Sequence, residues 1–126
     1  MLLSIYEKDG RPIYLQIISQ VRQQVSQGIL KPGDELPSVR ELADSLGINM
    51  HTVRSAYLKL RDQGIINLRL GRRAKIAAMQ PLATAAAEDD LKARLDEIIT
   101  DALLMGYTPE VFLKLVNAQL EEIKQA

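Results

Sequence analysis

Eight cationic side chains, Arg40, Arg54, Lys59, Arg61, Arg69, Arg72, Arg73 and Lys75, fall within residues 40–75, against three acids, Glu41, Asp44 and Asp62. A net charge of +5 over so short a stretch suits a polyanion. Guanidinium forks take phosphate oxygens, or the O6 and N7 edge of guanine, through paired hydrogen bonds. Residues 1–39 carry four cations and four acids, and residues 76–126 four cations and nine acids. The three segments thus run 0, +5 and −5 and sum to the formal net charge of zero. A neutral total hides a basic surface in the middle of the chain.

Other chemistries find little to work with. There is no cysteine, which excludes disulfides, thiolate metal sites and a cysteine nucleophile, and His51 is the single histidine. Alone it cannot build a histidine-rich metal site, and any Ser-His-Asp arrangement would have to pass through it. The acids Glu88-Asp89-Asp90, Asp96-Glu97 and Glu121-Glu122 read as helix-start charges and solvated faces rather than catalytic pairs. Neither Lys31-Pro32-Gly33 nor Gly71-Arg72-Arg73 matches a glycine loop that cradles phosphate and opens a helix. No enzyme, metal or cofactor function is expected. The hydrophobic share of 47% and charged share of 25% are those of an ordinary globular chain. No apolar run approaches the roughly 18 residues of a membrane span, and residues 1–6 are too short and lack the basic flank of a signal peptide. The expected location is the cytoplasm, with no membrane partner.

The 126 residues suit one domain, or one domain with an appendage. From Pro12, placed at a first helical position, Leu15, Ile18, Val21 and Val25 recur at helical steps with Gln16, Gln20, Arg22 and Gln23 between them, up to Gly28. Lys31-Pro32-Gly33-Asp34 is a turn. Ser38-Val39-Arg40-Glu41 forms a capping box, in which the Ser38 hydroxyl accepts the Glu41 amide proton and the Glu41 carboxylate reaches back to the Ser38 amide. A short helix with Val39, Leu42, Ala43 and Leu46 on one side follows, ended by Gly47. After Ile48 and Asn49 a third pattern, Val53, Ala56, Tyr57 and Leu60, runs to Gly64. Two short helices across a tight glycine turn make a helix-turn-helix. Residues 65–70 are β-prone, 71–73 turn and 74–77 return antiparallel, giving a basic hairpin or wing. Residues 79–87 read as a linker that turns helical toward its end. Leu91, Leu95, Ile98, Ile99, Ala102 and Leu103 then form a helical stripe entered through Glu88, Asp89 and Asp90 and ended by Gly106. Thr108 caps a last helix with Pro109 at its first position.

The expected architecture is mainly α with a small β-wing: a winged helix-turn-helix DNA-binding domain over residues 1–78, then a linker and two-helix dimerisation module over 79–126. Phe112, Leu113, Leu115, Val116, Leu120 and Ile123 span an arc of about 160°, wider than one core contact needs. Together with Leu95, Ile99 and Leu103, the set Phe112, Leu115, Val116, Leu120 and Ile123 is the candidate homodimer face. Met50, His51, Thr52, Arg54 and Ser55 lie opposite Val53, Ala56 and Tyr57, on the side that would face a groove floor. Arg54 is a candidate for guanine, and Thr52 for a phosphate or a thymine methyl. With Ser38, Arg40, Arg72 and Arg73 these residues make up the candidate interface with double-stranded DNA. A rival reading is a winged-helix adaptor that binds protein through the acidic C-terminal third. Retention on heparin or duplex DNA separates the two. Two helices leave little room for an enclosed pocket, so a small-molecule effector would sit in a dimer or inter-module groove, or not exist.

Pro12 to Ile17, Gly28 to Ala43, Asn49 to Tyr57 and Gly64 to Ile66 strongly resemble, in order and spacing, the GntR family of bacterial transcription regulators. The two-helix tail with Gly106-Tyr107-Thr108-Pro109-Glu110 looks like the YtrA subfamily. The resemblance implies a homodimeric repressor on a pseudo-palindromic operator, with Arg40, Thr52 and Arg54 touching DNA and the wing reaching the minor groove. Two positions depart from the pattern. Arg73 stands where the wing usually has a second glycine, and Met50 and His51 where the third helix often has Arg or Pro followed by Thr or Asn. At the wing tip, Arg72 is expected to enter the groove and Arg73 to neutralise a phosphate.

Overall fold

A proline supplies a carbonyl but no N–H, and Pro12 is used just outside the first helix. Its φ of −53° and ψ of 149° are extended, and its carbonyl accepts from the amides of Leu15 and Gln16 at 3.1 and 3.2 Å. It is therefore the cap of helix α1 (Ile13–Ser26) rather than its first residue, and the helix begins one residue later than expected. The structure, a computed structural model, describes residues 3–69, 71–78 and 84–125. Helices α2 (Val39–Leu46) and α3 (Met50–Asp62) follow, then strands β1 (Ile66–Asn67) and β2 (Lys75–Ile76), then helices α4 (Ala85–Leu104) and α5 (Pro109–Gln125). Contacts divide the chain into two compact units, Met1–Met79 and Gln80–Ala126.

In the first unit, α1 and α2 both pack on α3. The core takes Ile17, Ile18 and Val21 from α1, Leu42 and Ala43 from α2, Val53, Ala56, Tyr57 and Leu60 from α3, and Ile66, Ala74 and Ile76 from the wing. Burying each of the Val, Leu and Ile side chains among them contributes about 1.5–3 kcal/mol. The α1 face is turned slightly from the expected one: Ile17 is fully buried, while Leu15 and Val25 are only partly so. Gln16, expected on the polar side, is buried. The reason is the segment before the helix, which lies against α1. The Gln16 side-chain amide accepts from the Tyr6 N–H at 2.9 Å and donates to the Tyr6 and Arg11 carbonyls at 3.0 and 3.1 Å. One turn on, Gln20 does the same for Ser4, at 3.0 and 2.6 Å. A buried amide so satisfied costs little.

The wing ladder is shorter than the β-prone run suggested. Ile66 pairs with Ile76 and Asn67 with Lys75, antiparallel, while Leu70 lies outside the described residues. The other edge of β2 is occupied as well. Glu35 bridges to Lys75, the Gly33 N–H donates to the Ile76 carbonyl, the Ile76 N–H to Asp34 and the Leu36 N–H to Ala74, at 2.9, 2.9 and 2.8 Å. The chain between α1 and α2 is thus a third rail of the sheet.

In the second unit α4 begins at Ala85, three residues before the acids expected to open it. Thr84 provides the cap, its hydroxyl accepting from the Ala87 N–H at 3.1 Å, and alanines favour the helix from there. The rest of the expected linker, residues 79–83, lies outside the described residues. The Tyr107 N–H donates to the Ala102 carbonyl past Gly106, and Thr108 caps α5 through the Val111 N–H at 3.3 Å. Among the described residues no helix is long and apolar enough to cross a membrane.

Candidate nucleic-acid interface

The site is built by two caps and one turn. The Ser38 hydroxyl accepts from the Glu41 N–H at 3.1 Å and starts α2, which is half of the expected box. The other half is replaced, because the Glu41 carboxylate is taken by Arg73. Gly47 ends α2 at φ 68° and ψ 36°, a left-handed conformation that side chains disfavour, and the Ile48 N–H closes on the Ala43 carbonyl at 3.0 Å. Asn49 then caps α3, its side-chain oxygen accepting from the His51 N–H at 2.7 Å. The signal for this cap is an Asn just before a helical pattern, which the apolar period beginning at Val53 does not include. Two residues thus separate α2 from the α3 cap, which fixes the second helix against the first.

Val53, Ala56, Tyr57 and Leu60 turn α3 into the core. Met50, His51, Arg54 and Ser55 are left exposed and Thr52 half-buried, on the side opposite the core as expected. The Tyr57 hydroxyl donates to the Pro37 carbonyl at 2.7 Å and so ties α3 to the residue before the α2 cap. Burial, with the nearby Glu41 charge adding to it and Arg73 opposing it, pushes the Tyr57 hydroxyl well above the ordinary tyrosine range.

The wing tip meets the start of α2. Ser38, Val39, Tyr57, Gly71, Arg72 and Arg73 line one hollow of about 310 Å³. A second hollow of about 170 Å³ is lined by Asn67, Arg69, Arg72, Arg73 and Lys75, four of its five residues being cations. Gly71 carries the tip at φ 75°, and among the described residues no residue other than glycine has a positive φ. Arg73 therefore replaces the family's second glycine without strain.

The cations differ in what holds them. Arg73 forms a two-pronged ion pair with Glu41, Nη1 to Oε2 at 3.0 Å and Nη2 to Oε1, which raises the guanidinium further above its ordinary range. This partner was not foreseen, since 32 residues separate the pair. Arg61 pairs with Asp62 at 3.0 Å. Among the described residues, Arg40, Arg54, Arg69, Arg72 and Lys75 have no ion pair, and all five are exposed.

The candidate dimer residues belong to the second unit. Leu95, Leu103, Leu115, Leu120 and Ile123 are exposed, and Ile99, Phe112 and Val116 half-buried. Ala102 is the one buried residue described there.

Residues 13–76 match the family of bacterial regulatory proteins of the gntR type. The HTH-type transcriptional repressor YtrA of Bacillus subtilis (strain 168) is 39% identical over 108 residues, 83% of this chain and 82% of that protein. The crystal structure of a transcriptional antiterminator from Listeria monocytogenes EGD-e has a TM-score of 0.88 at 30% identity, over 98% of this chain and 93% of that one. AraR(DBD), in complex with operator ORX1, matches 61% of this chain and 93% of its own at 25% identity and a TM-score of 0.52. With its helix-turn-helix, its wing and these relatives, the chain belongs to the GntR family of bacterial regulatory proteins and is a transcription regulator, not an enzyme.

Proposed function

We propose that the chain represses transcription as a homodimer, each copy laying the start of α3 in a major groove of a pseudo-palindromic operator in the cytoplasm. The observation that carries this reading is the set of unpaired cations, Arg40 and Arg54 at helix starts and Arg69, Arg72 and Lys75 on the wing, beside a helix whose outer side is exposed. Residues 1–78 act as the DNA-binding domain. In it Arg54 reads a guanine edge while Met50, His51, Thr52 and Ser55 contact neighbouring bases or phosphates. Ser38 and Arg40 meet the backbone, where helix N-termini favour anions. Arg72 reaches the adjacent minor groove. Residues 79–126 are a linker and dimerisation module, supported by the apolar side chains that α4 and α5 leave uncovered in a single copy. A similar domain bound to an operator, AraR, supports DNA as the ligand.

Selection from a random duplex library by the full chain tests the proposal. Enrichment of an inverted repeat is expected. Enrichment of a single half-site would remove the dimer from the account, and no enrichment over the starting library would remove specific DNA binding.

A further inference from the structure

Arg73 and Glu41 are far apart in sequence and meet where the wing comes back to the first turn of α2. A guanidinium and a carboxylate joined by two parallel hydrogen bonds fix orientation as well as distance. Here both prongs are made, and Nη1 also lies 3.5 Å from the Leu36 carbonyl. The return strand is already held by the 33–36 segment up to the Ala74 carbonyl, and Arg73 carries that hold on toward the tip. The wing's β1–β2 ladder is two residue pairs long, and its tip turn is closed by the Arg72 N–H on the Arg69 carbonyl at 3.1 Å. Among the described residues, Arg72 therefore stands next to a side chain that ties the tip to a helix by hydrogen bonds.

We propose that Arg73 is a positioning residue: through Glu41 it fastens the wing to the start of α2 and so sets where Arg72 meets the DNA. The proposal rests on the reading above, in which α3 and the wing face one duplex. Charge supports it too. Glu41 sits one residue after Arg40 and three after Ser38, where a phosphate is expected, and an unpaired carboxylate there would repel the backbone. Paired, it is neutralised. Were Arg73 spent on a phosphate instead, Glu41 would be left bare against the DNA. The pair is about half exposed on both sides, so it adds little to global stability and its effect is on geometry.

The full-length protein is compared with E41Q, R73Q, R73K and the double variant E41Q/R73Q, with melting temperature as a control. Two readouts are used: amide order at Gly71 and Arg72 in the free protein, and hydroxyl-radical protection of the minor groove flanking the selected operator. Expected are loosened tip amides and reduced flank protection in E41Q, R73Q and R73K alike. Operator affinity should fall about twofold to fivefold, the double variant should be no worse than R73Q, and melting should hardly change. R73K separates the two roles, because a lysine still neutralises a phosphate but lacks the fork. The inference is overturned if E41Q and R73K keep native tip order and flank protection while R73Q alone loses protection and lowers the salt slope by about 0.9, for then Arg73 is a phosphate ligand. Absence of flank protection in the unmodified protein would count against the wing's place on DNA, and tip order in the free protein would still decide whether Glu41 and Arg73 hold the wing.

Discussion

Arg54 and Arg40 carry the same charge and are both exposed and unpaired, yet one projects from the middle of the first turns of α3 and the other from the first turn of α2. Arg54→Ala is expected to cost about 1–3 kcal/mol of operator binding and to relax preference at one base pair, whereas Arg40→Ala weakens all sequences evenly. Competition binding against operators mutated one position at a time checks this, and equal, sequence-independent losses would put the wrong residue in the groove. Arg72→Ala should lower the slope of log K against log salt by about 0.9 and weaken A·T-rich flanks most, since a narrow minor groove concentrates negative potential. Tyr57 carries a prediction for pH. Its folded hydroxyl holds its proton to well above the ordinary value of 10.0, so the folded state binds that proton more tightly than the unfolded chain. Its contribution to stability is therefore intact below about pH 10 and is lost as pH rises beyond it. Tyr57→Phe should remove this alkaline loss and cost about 1 kcal/mol through the Pro37 carbonyl left without its donor, both measurable by melting from pH 7 to 11. Residue types on the polar side of α3 were legible because helical period alone fixes which positions face away from Val53 and Leu60. The Arg73–Glu41 pair and the burial of Gln16 were not, because each depends on chain distant in sequence folding back onto a helix.

Helix starts and stops were written locally and were largely legible: Ser38 before α2, Gly47 after it, and Thr108-Pro109 at α5. Gly47→Ala adds no clash, as nothing lies within 4 Å of the new Cβ, but it forces an L side chain into the left-handed region. The expected cost is about 1–2 kcal/mol in denaturant unfolding. Thr84→Ala should fray the start of α4 and lower far-UV helicity, whereas a helix opened by Glu88 would not respond. The sequence placed that start too late because the three alanines Ala85–Ala87 carry no hydrophobic period to read, although they favour helix. The sheet was legible only in outline. A β-prone run shows that a strand is possible and not how much of it pairs, and the Glu35–Lys75 bridge is a single-residue pairing with no periodic signature.

At the scale of the whole molecule, the charge split of +5 over residues 40–75 and −5 over residues 76–126 assigns different work to the two units. Exposed apolar residues on α4 and α5 support the proposed role of the second unit as the contact between copies. Leu115→Glu combined with Leu120→Glu should make the full chain monomeric in sedimentation at micromolar concentration. Operator affinity should then drop steeply, because the second half-site no longer adds its contribution. A double variant that still sediments as a dimer would place the contact elsewhere. The most direct measurement is a hydroxyl-radical footprint of the full-length protein on the DNA upstream of its own gene. The account predicts two protected patches related by two-fold symmetry on one face of the duplex, about 10 base pairs or a multiple of that apart, each needing more protein to appear with Arg54→Ala. Uniform protection that tracks only salt, or a single patch unaffected by Arg54→Ala, would contradict it.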